Sequence, residues 1–421
     1  MPCLFAKQLI QRLRKRAQIP VQPCPLHNAE HPSLPNLPTE LVDSILNHLS
    51  DDKSSLISCC LASRAFLPTA QALLFRRVNL YASAWNEWGK NPDLNAGRKL
   101  RHLVELSHLL SHTRELYLNG CHIELGNDTE LVSAIEAFIS LKNSHITADS
   151  RSALEYISLN HINMSSPDLL NATLQRLLAL ESVTHIIIRG GDMPLNIFEH
   201  FPSRVKILEL GPMTIQAAAA QVADGYPKLV NLPAIRPESL VIRGYSDPDH
   251  SSNQVARAIF NNPKRECDGT SIRTLHLNYF STHELGMYGT FAPHVEKLTV
   301  RLKNEREYTP FDFSQFSRLQ YFYISRIDID RQIRWLAKSL RHVKTDNSFR
   351  SITLNYVNGQ SHDILAWAEL DSVLAGSQFE SESFSGMTIE DDYSTTGYCS
   401  LLPRTIDKKL LKVVRAKYMN Y

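Results

Sequence analysis

The chain has 421 residues, 43% of them hydrophobic and 21% charged, with a formal net charge of +2. This composition excludes global disorder, and so small a net charge gives nucleic-acid binding no electrostatic support. No apolar run approaches the roughly 18–20 residues that a membrane span requires, so neither a nucleic acid nor a membrane is expected as a partner.

The length exceeds what a single compact core usually holds and favours several units or a repeat array. Residues 1–32 set Leu4, Phe5, Leu9, Ile10 and Leu13 beside Arg12, Arg14, Lys15 and Arg16, then turn proline-rich. Lacking a continuous apolar segment, they do not read as a secretory signal. A disordered basic lead-in and an extended linker are expected, with a targeting segment as the alternative. The seven cysteines are odd in number and form no Cys-x-x-Cys pair. That pattern fits reduced thiols in cytoplasm or nucleus better than a disulfide framework or a zinc site.

Residues 33–77 read as a small helical module. Pro38 suits a first helical turn because its missing N–H has no partner there, and Glu40 complements the positive end of the helix. Leu41, Ile45, Leu46 and Leu49 then form one apolar stripe. Ser50-Asp51-Asp52 ends that helix and offers a new N-cap, a second helix carries Leu56, Cys59, Cys60 and Leu61, and Pro68 opens a third. Three helices in some forty residues make a marginal core, and so wide a stripe needs a cover.

The run Leu-Pro-x-Glu-Leu-x-x-x-Ile-Leu-x-x-Leu at 37–49, with Leu56, Leu61, Ser63-Arg64-x-Phe66 and Leu74-Phe75, resembles an F-box. The likeness spans about a tenth of the chain. Family members usually carry a bulky aromatic near the end of the second helix, where only Phe66 could stand in here. The resemblance implies binding to a Skp-type adaptor through Leu37, Pro38, Leu41, Ile45, Leu46, Leu49, Leu56 and Leu61.

After a connecting segment at 78–112, which opens with a strand at Val78 and Leu80, one six-residue pattern recurs: apolar-x-apolar-x-x-apolar. It occurs at Leu116-Leu118-Cys121, Ile157-Leu159-Ile162, Leu208-Leu210-Met213, Leu240-Ile242-Tyr245, Leu275-Leu277-Phe280, Phe322-Ile324-Ile327 and Ile352-Leu354-Val357. Two further copies are defective, with Ile186-Ile188 meeting Gly191 and Leu298-Val300 meeting Lys303. Most copies add an apolar residue three positions earlier, at Leu154, Val183, Val205, Ile272, Val295, Leu319 and Phe349. The composite is the leucine-rich-repeat pattern, in which alternate residues of a strand face the core.

Helical stripes fill the intervals: Leu131, Ile135, Phe138, Ile139; Leu170, Leu174, Leu177, Leu178; Val255, Ile259; Ile333, Leu336, Leu340, Val343. An irregular solenoid of α/β units is therefore expected over 113–376, behind a helical module, with a cap and tail at 377–421. A doubly wound α/β sheet is the alternative, though its strands read as continuous apolar runs where these mostly alternate.

No catalytic, phosphate-binding or zinc-protease motif occurs, and the histidines, including His102, His108 and His112, do not gather the further ligands a metal needs. No cofactor is expected. Aligning the repeats brings Arg189, Arg243 and Arg301 onto alternate turns of the exposed sheet face, a cradle for an acidic or phosphorylated ligand. Tyr117, His276 and Tyr323 fall in the neighbouring outward column and could add aromatic contacts.

Together these features resemble the F-box proteins with leucine-rich repeats, many of which occur in fungi. The resemblance implies a non-catalytic substrate receptor of a Skp–cullin–F-box ubiquitin ligase, in which the helices bind the adaptor, and through it the cullin, while the repeats bind a target protein. Two other readings stay open. An adaptor-bound scaffold would capture the adaptor without changing partner abundance, and an α/β enzyme would show a deep pocket with clustered titratable groups.

Overall fold

The computed structural model describes residues 38–81, 96–120, 129–145, 153–162, 169–216, 234–244, 267–327, 330–344, 348–356, 363–381, 383–391 and 398–415. The chain divides into two compact units, Met1–Val183 and Thr184–Tyr421. Leu37, Cys121, Tyr245, Val255, Ile259 and Val357 lie outside the described residues.

The first unit opens with three helices, α1 (Thr39–His48), α2 (Lys53–Ala62) and α3 (Leu67–Phe75). Pro38 is the N-cap of α1, and its carbonyl accepts from the amides of Leu41 (3.0 Å) and Val42 (3.2 Å). Asp52 caps α2 by accepting from the amides of Ser54 and Ser55, both at 3.1 Å, and the hydroxyls of Ser55 (2.6 Å) and Ser54 (2.7 Å), helped by those amides, hold its carboxyl down to about 2. Thr69 on α3 donates to Asp43 on α1 at 2.6 Å. The core is small: Val42, Leu46, Leu56, Cys60 and Ala70, with Leu49, Cys59, Phe66, Leu67, Leu73 and Leu74 packed at its edge. Burial pushes the Cys60 thiol up to about 11, so it is an inert packing residue.

Helix α3 passes almost directly into β1 (Arg77–Tyr81). This strand pairs in parallel with β2 (Glu115–Asn119), and β2 with β3 (Tyr156–Asn160). Within residues 78–112, the expected strand carries Val78 and Leu80 with both side chains buried, and helices follow at Ala96–Glu105 and Ser107–Leu110. Helices Thr129–His145 and Leu169–Leu178 bury the expected stripes, Leu131, Ile135, Phe138, Ile139 and Leu170, Leu174, Leu177, Leu178.

Among the described residues of the second unit, nine parallel strands pair in chain order: β4 (His185–Arg189), β6 (Ile207–Leu210), β8 (Ser239–Arg243), β9 (Thr274–Phe280), β10 (Lys297–Leu302), β11 (Tyr321–Ile327), β12 (Ser351–Tyr356), β13 (Met387–Asp391) and β14 (Leu411–Arg415). The short β5 (Asp192–Pro194) and β7 (Thr214–Gln216) pair separately. Helices Thr282–Phe291, Asp330–Leu340 and Ile364–Leu374 lie between strands. The class is thus α/β with open, parallel sheet. A doubly wound sheet reverses its strand order at a switch point, and no reversal occurs among the described strands. The expected C-terminal cap and tail instead contributes β13 and β14, with Trp367 packed on Tyr398 at 5.4 Å between ring centroids.

The repeat pattern acquires a geometric cause. Both apolar positions of the strand copies are buried, as are all seven residues three positions ahead of them. His161, Tyr279 and Arg326, each just before the trailing apolar residue, have positive φ of 54°, 62° and 57°. A residue in this left-handed conformation swings the chain so that Ile162, Phe280 and Ile327 turn inward, with register shifts marking Tyr279 and Arg326 as bulges. Strand β10 has no such residue. It simply continues its alternation, so Leu302 is buried where the pattern expected position 303, and this copy is one residue shorter rather than defective.

Candidate functional site

Two surfaces bear on function, one in each unit. On the first, the expected adaptor-binding stripe splits. Leu46 and Leu56 are 1% and 0% exposed and form the core of the module, so they cannot contact a partner. The reason is helical geometry: a stripe with neighbours at 45 and 46 spans too wide an arc for one face, and α2 and α3 cover only the side carrying Val42 and Leu46. Leu49 packs at the edge of that core, and Leu61 is half-buried. Leu41 and Ile45, one turn apart, remain 51% and 53% exposed, and Pro38 is exposed at the start of the same helix.

The second surface is the outward face of strands β4 to β10. Sheet register sets Arg189 on β4, Arg243 on β8 and Arg301 on β10, alternate strands as expected. Their environments show that two of the three share a carboxylate. Glu209, on β6 between the first two, is 8% exposed, and a single oxygen, Oε1, accepts from Arg189 Nε (2.8 Å), Arg189 Nη2 and Arg243 Nε (2.7 Å). Gly211 makes this possible: a Cβ there would stand 2.6 Å from Arg189 Cγ. The Arg301 guanidinium lies over the Tyr279 ring, 4.0 Å from its centroid, a contact that the left-handed turn at Tyr279 presents.

The aromatic column is also committed to local contacts. His276 has its pKa lowered first by burial and then by Arg243, with Glu209 opposing. The Tyr323 hydroxyl donates to Glu390 at 3.0 Å. In the first unit, Tyr117 stacks on Tyr156 at 4.9 Å and donates to Glu115 at 3.2 Å, and burial raises its pKa.

Two buried groups were missed by reading the sequence. Among the described strands Glu209 is the only acid in the middle outward column, a signal that alignment of that column carries. Lys142 is 1% exposed and donates to the carbonyls of Leu110 (3.1 Å), Ser111 (3.3 Å) and Thr113 (2.6 Å), closing the end of a short helix. Nothing in its local pattern, in the last turn of the helix Thr129–His145 beside Leu141, signals that burial.

Among the described residues no group of three or more histidines, cysteines or acids is placed to hold a metal, and no helix is long and apolar enough to cross a membrane. Compared with models of known protein families and with curated proteins, the chain matches none.

Proposed function

We propose that the chain is an F-box protein whose parallel α/β repeats form a leucine-rich solenoid, acting as the non-catalytic target receptor of a Skp–cullin–F-box ubiquitin ligase. One observation carries the reading: Leu41 and Ile45 stand half in solvent, one turn apart, on a module with a core of five buried apolar residues. Covering two half-exposed aliphatic side chains is worth about 2–3 kcal/mol at ~25 cal/mol per Å², a meaningful share of a protein interface.

The adaptor would meet Pro38, Leu41, Ile45 and the half-buried Leu61, while Leu46 and Leu56 hold the helices that present them. Strands ordered by chain sequence, with the pattern's trailing residue turned inward, support the solenoid. A receptor of this kind makes no bond itself. It raises the concentration of a bound target near a transferase held by the cullin.

The test is affinity capture of the tagged full chain from cells, followed by identification of the Skp-type adaptor and cullin. The wild type should retain both, and Pro38→Ala/Leu41→Ala/Ile45→Ala should lose both while its circular dichroism is unchanged. Equal retention by the two proteins contradicts the assignment.

A further inference from the structure

The outward residues of β4, β6, β8, β9 and β10 contain four cations, Arg189, Arg243, Lys297 and Arg301, and one carboxylate, Glu209. With histidines neutral that is +3 on one face, against +2 for the entire chain. We infer that this face binds an extended acidic segment of a protein, with one carboxylate received by the Arg189–Arg243 pair and a second, about four residues along, received by Arg301. The inference deepens the receptor reading in calling that segment part of a target, but its binding can be measured without an adaptor.

The first subsite is a built arrangement. Glu209 Oε1 draws both guanidiniums over β6, using Nε and Nη2 of Arg189 and Nε of Arg243. The side chains of Arg189 and Arg243 keep 41% and 27% of their surface in solvent, whereas that of Glu209 keeps 10%. Two guanidiniums against one carboxylate leave one positive charge, which one further carboxylate balances. A phosphate dianion would overshoot by one charge. Glu209 is therefore a positioning and selecting residue: it sets the separation of the arginines and the charge of the ligand they accept.

The span sets the ligand's conformation. From β6 to β10 is three strand intervals, roughly 14 Å at ~4.8 Å each, which an extended peptide crosses in about four residues at ~3.3 Å apiece. A helix rising ~1.5 Å per residue would need nine or ten. The floor between the subsites is uncharged: Val241, His276 and Thr299, with burial pushing His276 towards its neutral form. Exposed Lys297 adds positive field at the Arg301 end.

The test uses the full chain and fluorescein-labelled nine-residue peptides of serine and glycine, read by fluorescence anisotropy at low and physiological salt. A peptide with glutamates four positions apart should bind at least about tenfold tighter than its glutamine counterpart and than one with adjacent glutamates, a difference of ~1.4 kcal/mol or more. Arg243→Gln and Arg301→Gln should each weaken it about tenfold. Arg301→Gln does not disturb the Glu209 contacts, so it decides the matter even where Arg243→Gln unfolds the chain. Equal binding of glutamate and glutamine peptides overturns the inference, as do tighter binding of a phosphoserine counterpart or of a single-stranded oligonucleotide of equal charge. Loss of adaptor capture with peptide binding intact overturns only the receptor reading, and the converse result overturns only this one.

Discussion

Replacing Lys142 with methionine isolates a buried charge whose surroundings pull in opposite directions. Three carbonyls surround its Nζ at 2.6–3.3 Å and favour the ammonium, whereas burial disfavours it and draws its pKa from 10.5 to about 8. That depression corresponds to about 3 kcal/mol against the charged form at ~1.4 kcal/mol per pH unit. Methionine matches the length of the stem but leaves the carbonyls of Ser111 and Thr113 without this donor, and each such loss costs about 1–3 kcal/mol. Leu110 keeps the amide of Thr113 as a partner at 3.0 Å. At pH 7 the lost bonds and the relieved burial of charge partly offset, so Lys142→Met should destabilise by only about 1–2 kcal/mol.

The pH dependence is the sharper signature. Because the folded pKa lies below the unfolded one, the unfolded chain binds more protons between them, and the wild type gains stability as pH rises from about 8 towards 10.5. Linkage with these values gives a gain of about 2 kcal/mol between pH 7 and pH 9.5, absent from the variant. Urea denaturation of both proteins at the two pH values measures it, and the difference cancels every other titrating group. A deficit that stays constant with pH would mean that the carbonyls hold the proton against burial, and the reasoning fails.

Three further comparisons check other parts of the account. Leu46→Ala should cost about 2–5 kcal/mol as a core cavity and Leu41→Ala under about 1 kcal/mol, by denaturant unfolding; similar costs would contradict the division of the stripe into core and face. Gly211→Ala puts a Cβ 2.6 Å from Arg189 Cγ, 2.8 Å from its Cβ and 2.9 Å from its Cα, and should cost about 1–3 kcal/mol, of which Gly211→Ala/Arg189→Ala should recover only the Cγ share; a purely additive double variant would contradict a clash with that Cγ. Buried Asp371 accepts from the amides of Arg404 (3.2 Å) and Thr405 (2.8 Å) and from the Thr405 hydroxyl (2.7 Å). Asp371→Ala should therefore cost about 2–4 kcal/mol and expose β14 amides to rapid hydrogen exchange, whereas unchanged exchange would separate that strand from this contact.

Much of the sheet was legible because alternation is a direct imprint of a strand with one buried face. Leu275 and Leu277 could be placed in a core column from the sequence, and so could Ile352 and Leu354. The trailing apolar position was legible as a pattern but not as a cause. It depends on left-handed backbone at His161, Tyr279 and Arg326, residue types that do not advertise that conformation. Position 303 read as a defect because a six-residue template cannot register a missing bulge.

The candidate sites were less legible, for two physical reasons. A helical stripe states which residues are apolar but not which of them the neighbouring helices cover, so Leu46 and Ile45 looked equivalent. Charge pairing between strands follows sheet register across twenty or more residues: Arg189 and Glu209 are 20 residues apart in sequence, and Arg243 and Glu209 are 34 apart. A column of arginines read alone therefore looked open, while the carboxylate that organises two of them sat in the next column.

The most direct test of the central claim is titration calorimetry of the purified full chain with a purified Skp-type adaptor. The account predicts a one-to-one complex that Leu41→Ala/Ile45→Ala weakens at least about thirtyfold, or ~2 kcal/mol, while the free double variant stays folded under the conditions of the titration. An adaptor that does not bind, or that binds wild type and double variant alike, contradicts it.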